Sequence, residues 1–232
     1  PTNGESGGLA SGTEAYYAFD YGNIHFIVLE SYETDRSVGG TMYNWAQSDI
    51  QNTTQEWIVA IWHHPPYTKG SHNSDTETEL VQMRQNFLPM LEANGVDLVL
   101  SGHSHSYERS YFLNGHYGTS GTFDSQSMTV GATGNGDGKA DGTGAYVKGA
   151  TSPEGAVYIT AGSSGKISGG SLNHNAMYAS LNQLGSCILE VNGSTLNLKF
   201  ITNTGAVTDY FTIQKGCTEG TSCDDGDACT TN

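Results

Sequence analysis

"VDLVLSGHSHSYERS", residues 96–110, runs from an apolar stretch straight into two histidines one residue apart. "VDLVL" has the length of a buried strand, and ligand-binding loops in α/β proteins sit at the carboxyl ends of strands. "WIVAIW", residues 57–62, repeats the arrangement: a second apolar run is stopped by "HHPP", because proline cannot continue an internal ladder. "IHFIVLE", residues 24–30, is a third. Between the first two runs in chain order, "MYNWAQSDI" places Met42, Trp45, Ala46 and Ile50 on one helical face. From Thr78 onward, Leu80, Met83, Phe87, Leu88 and Leu91 mark a second amphipathic helix, which Pro89 is expected to kink or split.

Strand, helix, strand, helix, strand is the pattern of a parallel sheet. Its strands end on one edge, so the "HHPPY" and "GHSHSY" loops should emerge side by side. Beyond about Ser120 the texture changes. "TVGATGNGDGKADGTGAYVKG" reads as a long loop rather than a calcium site, since Lys139 stands where that motif needs an acid or amide. "AVYITAG" is another strand. "ILEVNGSTLNLKFITNTGAVTDYFTIQ" alternates and turns at Asn192-Gly193, which predicts antiparallel strands in a second sheet packed on the first.

The 232 residues carry a formal charge of −15, and the 9 Lys and Arg are scattered. No basic cluster forms, so nucleic-acid and anionic-membrane partners are not expected, and no apolar run approaches a membrane span. An anionic substrate would need a local positive partner, a role a bound metal fills. Cys187 lies in a strand pattern and reads as a core residue. Cys217, Cys223 and Cys229 have the spacing of small disulfide loops, which favours a secreted or extracytoplasmic setting. Both ends of the chain look cut, so a leader cannot be read from it.

Other catalytic signatures fail. "AGSSGKISGG" continues with Ile167 where a phosphate loop needs Ser or Thr, and no G-x-S-x-G elbow occurs. N-x-S/T tripeptides stand at Asn52 and Asn192 and are common by chance. Among the histidines, His25 is mid-strand and reads as a hydrogen-bonded core residue. His116 and His174 fall in loops and are read mainly as lying away from a site. His63 and His64 are adjacent, so their side chains should diverge and at most one should join a metal shared with the downstream pair. His72 is either a ligand or substrate contact, or a plain surface residue. The spacing of His103 and His105 puts both rings on one side of an extended segment, and neutral imidazole is the commonest donor to zinc and iron.

At these residues the chain resembles the calcineurin-like metallophosphoesterases, and within them the purple acid phosphatases. "YYAFDYGNIHFIVLES", "WHHPPYTKGSHNSD" and "GVDLVLSGHSHSYERS" carry the similarity, with looser agreement in "GAVYITAGSSG" and "AVTDYFTIQK". The resemblance implies an α/β fold, a two-sheet β-sandwich flanked by helices in α/β/β/α order, here without its amino-terminal half. Residues 1–215 would be the carboxyl-terminal part of that domain and 216–232 the start of an acidic Cys-rich linker or repeat. It also implies a phosphoric monoester hydrolase with two metal ions, Fe, Zn or Mn. His63 and His103 would hold one ion and His105 the other, while His72 would hold or protonate the phosphate. Tyr107, Glu108 and Arg109 match a recurrent segment whose expected role is structural, an ion pair steadying the ligand loop. The family's Asp, Asp/Tyr and Asn-His blocks are not in this chain, so the isolated piece is expected to be inactive. Two alternatives stand beside this reading: a phosphodiesterase or nucleotidase on the same scaffold, and a non-catalytic secreted module with a degenerate site.

Overall fold

Strands β2 (Ile24–Val28), β3 (Trp57–Ile61) and β4 (Leu98–Ser101) run parallel, as the alternation of apolar runs and helices predicts. The computed structural model describes residues 2–149 and 154–216. The Cys-rich tail, with the loops expected at Cys217, Cys223 and Cys229, lies outside them. In register, Ile24 stands opposite Trp57 and Val59 opposite Leu98. The sheet grows at both sides by strands that the periodicity did not mark: β1 (Tyr17–Tyr21), β5 (Tyr107–Ser110) and β8 (Met177–Leu181). Together with β7 (Val157–Ala161), the "AVYITAG" strand, they complete the seven-stranded order β1-β2-β3-β4-β7-β5-β8.

Helix α1 (Thr41–Asn52) buries Met42, Ala46 and Ile50 as its periodicity requires, with Trp45 at the margin. The second helical stretch is split. After α2 (Thr78–Gln82) comes one π-helical turn, Met83–Phe87, and then α3 (Leu88–Ala93). Pro89 lies in the first turn of α3, where its missing N–H has no intrahelical partner to lose, and the widened turn before it makes room for the ring. These helices bury Ile50, Phe87, Leu88 and Leu91 against Ile27, Ala60, Val99 and Tyr158 of the sheet.

The opposite face of the sheet packs on a four-stranded sheet of order β6-β11-β10-β9, formed by β6 (Tyr146–Lys148), β9 (Gly185–Asn192), β10 (Thr195–Thr202) and β11 (Val207–Lys215). Trp57, Val59, Leu98 and Ile159 meet Leu196, Leu198, Phe200, Phe211 and Ile213 between the sheets. Gly193 takes the first central position of the β9–β10 turn at φ +51°, where a type II′ turn requires glycine. One strand departs from the expected antiparallel pattern: β6, drawn from the Gly-rich loop, pairs parallel with β11. Asp137 of that loop accepts from the amides of Lys139 and Thr143, both 2.9 Å, so it closes the loop on itself. Among the described residues, helices cover one face of the sandwich only, and the layer order is α/β/β.

Candidate metal centre

The two predicted loops do emerge together. Strand β3 delivers His63 and His64, β4 delivers His103 and His105, and the amide of Gly102 donates to the His63 carbonyl at 3.0 Å. His63 Nε2 lies 3.0 Å from His103 Nδ1. His103 takes a left-handed backbone, φ +58°, which is uncommon for a residue with a Cβ. That turn corrects the expectation of an extended segment with both rings on one side. The His103 ring joins His63, while His105 Nδ1 meets Ser168 Oγ at 3.0 Å.

Two groups of donors lie within 4.8 Å of one another: His63, His64 and His103, and His72, Glu77 and His103. His105 is in neither group, although it stands near enough to His63 to help lower that ring's pKa. His63 and His64 diverge, as adjacent side chains must, with ring planes at 84°. Both nevertheless reach the His103 ring, at 4.9 Å and 4.4 Å between centroids. His72 packs on the other side of His103 at 3.7 Å and places Nδ1 2.7 Å from Glu77 Oε2.

Electrostatics follow from this crowding. Burial, then the neighbouring imidazoles, push His103 down to about 4. His63 and His64 are lowered for the same reasons, burial first. Burial works against Glu77, yet the Asn73 amide and the His72 ring hold its carboxyl below the ordinary range. His63, His64 and His103 are therefore neutral imidazoles, and with His72 and Glu77 beside them they make a donor set that suits zinc, iron, copper or nickel. It fits a metal ion. It does not by itself furnish the carboxylates expected of a two-ion phosphoesterase centre.

Packing fixes the loops. Glu108, fully buried in β5, accepts from Lys69 N at 3.0 Å, from Ser106 Oγ at 2.9 Å and from Thr68 Oγ1, which ties the His72 loop to the His103 loop. Arg109 points to the other face, as strand alternation requires, and forms its ion pair with Asp209 of β11 through Nε at 2.6 Å and Nη2 at 2.9 Å. The Tyr107 hydroxyl donates to the same carboxylate at 2.8 Å. Arg84, buried in the π-helical turn, donates to the carbonyls of Pro66 and Ser74 at 3.0 Å and 2.5 Å. Gly170 (φ +119°) closes the Ser168 loop down on this scaffold, since a Cβ there would lie 1.8 Å from the Gly70 carbonyl.

His25 is the core residue it was expected to be, fully buried between Asp20 and Asp49, each 2.8 Å from a ring nitrogen. His116 and His174 are buried behind Tyr67, with ring centroids 6.2 Å apart, and belong to neither donor group. The sequence reading weighed His64 but chose His63, and it missed Glu77, Ser31 and Ser168. For Glu77 a signal existed: an acid five residues beyond His72 in a short polar turn.

The family model for calcineurin-like phosphoesterases matches residues 3–107, a segment that contains His63, His72, His103 and His105. That segment is similar to the calcineurin-like phosphoesterases. The chain is 33% identical to purple acid phosphatase 18 of Arabidopsis thaliana over 134 residues, 56% of this chain and 29% of that protein. It is 37% identical to probable purple acid phosphatase 20 of the same plant over 102 residues, 43% of this chain and 23% of that one. It thus spans less than a third of the length of either relative. A structure of purple acid phosphatase PPD1 from yellow lupin (Lupinus luteus) seeds shares the fold at a TM-score of 0.64 and 18% identity, covering 94% of this chain and 35% of the other. The mixed α/β fold of two sheets is therefore that of the metallophosphoesterases.

Proposed function

We propose that the chain carries the histidine-rich side of the metal centre of a phosphoric monoester hydrolase of the purple acid phosphatase type. The observation behind this is the 3.0 Å approach of His63 and His103 from adjacent strand ends, inside the segment that matches the family. His63 and His103 hold one ion, and His105, turned toward Ser168, serves a second. Bound metal would supply charge neutralisation for a phosphate ester that this acidic chain would otherwise repel, together with an activated water. His72 faces the same space, and Glu77 Oε2, 2.7 Å from its Nδ1, fixes the ring where it would hold or protonate the phosphate. A shallow groove of about 380 Å³ beside His63, floored by Val28, Ile61 and Leu100 at the strand ends, leaves room for a substrate's organic group.

With Glu77 as the one carboxylate in either donor group, the 232-residue chain alone is inactive in this reading, and hydrolysis belongs to a longer protein. The Cys-rich tail agrees with a secreted protein. The test is hydrolysis of an aryl phosphate and of its diester by the full-length protein. A faster monoester reaction, strongly reduced by His63→Ala, His103→Ala or His105→Ala and little changed by His116→Ala, is expected. Preferential diester turnover, or equal damage from His116→Ala, would overturn the assignment.

A further inference from the structure

We propose that His64 is a metal ligand, so that His63, His64 and His103 form a three-nitrogen site able to hold one borderline transition ion such as zinc without any acidic partner. This rests on the reading of the cleft as a metal centre and adds to it a ligand from outside the paired histidines of the "GHSH" loop.

The His64 ring is held in place from β2's exit. Its amide donates to Ser31 Oγ at 3.1 Å, its Nδ1 lies 3.0 Å from the same oxygen, and the Tyr32 ring stacks on it at 5.3 Å. In the tautomer whose Nδ1–H donates to Ser31, the Nε2 lone pair is left for an ion, and such an outer hydrogen bond is the usual companion of a metal-bound imidazole. His64 is 3% exposed, so this ring is committed to the interior beside two other imidazoles rather than to water. One nitrogen of each of the three rings lies within 4.8 Å of the others. Tetrahedral zinc with bonds of ~2.0–2.1 Å separates its ligand nitrogens by about 3.3 Å. The 3.0 Å between His63 and His103 needs to open by only a few tenths of an ångström to meet that spacing.

A second observation points the same way. His103 takes a left-handed backbone here, φ +58°, a conformation uncommon for a residue with a Cβ. Apolar side chains would fill the space without the desolvation of three polar rings. A site that binds an ion accounts for their gathering.

The test uses the 232-residue chain titrated with zinc and followed by ring nitrogen–proton correlations of its histidines. The expected result is one zinc per chain, with the ring signals of His63, His64 and His103 moving together while those of His105 and His116 stay. His64→Gln should lower zinc affinity at least ~tenfold and alter the visible bands of the cobalt-substituted protein. The wild-type spectra decide the matter even if that variant folds poorly. If His63, His103 and His105 respond and His64 is silent, the inference fails while the phosphoesterase reading stands. If no ring responds, the inference also fails, and the phosphoesterase reading is then judged separately by hydrolysis in the full-length protein.

Discussion

Replacing His116 by phenylalanine should flatten the acid side of the stability curve. His116 and His174 are buried, and His116 Nδ1 and Nε2 and His174 Nε2 have no hydrogen-bond partner. His116 stacks on Tyr67 at 5.3 Å and meets Phe123 edge-on, and the nearby charges are Arg84, Asp75 and, toward His174, Lys69. Burial outweighs the one acid, and holds His116 down to about 4 and His174 to about 3. Both rings bind protons more weakly folded than unfolded, so their contribution is fully present above pH 6.5 and is lost as pH falls through the folded values. Between pH 7 and pH 5 that loss is about 2 kcal/mol for each ring. Phenylalanine keeps the stack and cannot take a proton, and any cost of fitting the larger ring is the same at every pH. The variant should therefore lose about 2 kcal/mol less than the parent over this range, or about 4–8 °C less in melting temperature. Site histidines such as His103 also titrate, but they do so in both proteins and cancel. Urea unfolding at the two pH values measures the difference. Equal pH slopes for parent and variant would refute the argument.

His25 should show the opposite sign: burial alone would lower it, but Asp49 and Asp20 raise it, so its contribution is present below pH 6.5 and fades as pH rises through its folded value. His25→Leu should cost about 3–5 kcal/mol near pH 6 by stranding Asp49, with the gap narrowing at alkaline pH; a gap independent of pH in urea unfolding would refute this. Arg109→Leu should cost a similar ~3–5 kcal/mol by leaving Asp209 buried and unpaired, and Arg109→Leu with Asp209→Leu should recover much of it, as urea midpoints will show. A single-variant loss below ~1 kcal/mol would mean the pair is exposed. Gly170→Ala should lift the Ser168 loop off Gly70 and change the His105 ring signals without moving those of His116; unchanged His105 signals would contradict the packing described.

The centre of the fold was legible because apolar runs and helical periodicities report burial directly. Ile24–Val28, Trp57–Ile61 and Leu98–Ser101 could only be strands, and Pro89 could only interrupt a helix. β5 was hidden because its inward faces carry Glu108 and Arg109, whose burial depends on partners distant in sequence, Thr68 and Asp209. β6 was hidden because its parallel pairing with β11 is a tertiary choice that a Gly-rich loop does not announce. The meeting of His63 and His103 followed from strand order. The arrival of His64 did not, because it depends on Ser31 at the end of another strand, and the turning away of His105 depends on one backbone angle at His103.

The most direct test of the central claim is metal K-edge absorption on the full-length protein as purified, compared with its His63→Ala and His103→Ala variants. The account predicts imidazole scattering around the bound metal that weakens in each variant. An oxygen-only shell, or one that neither substitution alters, would contradict it.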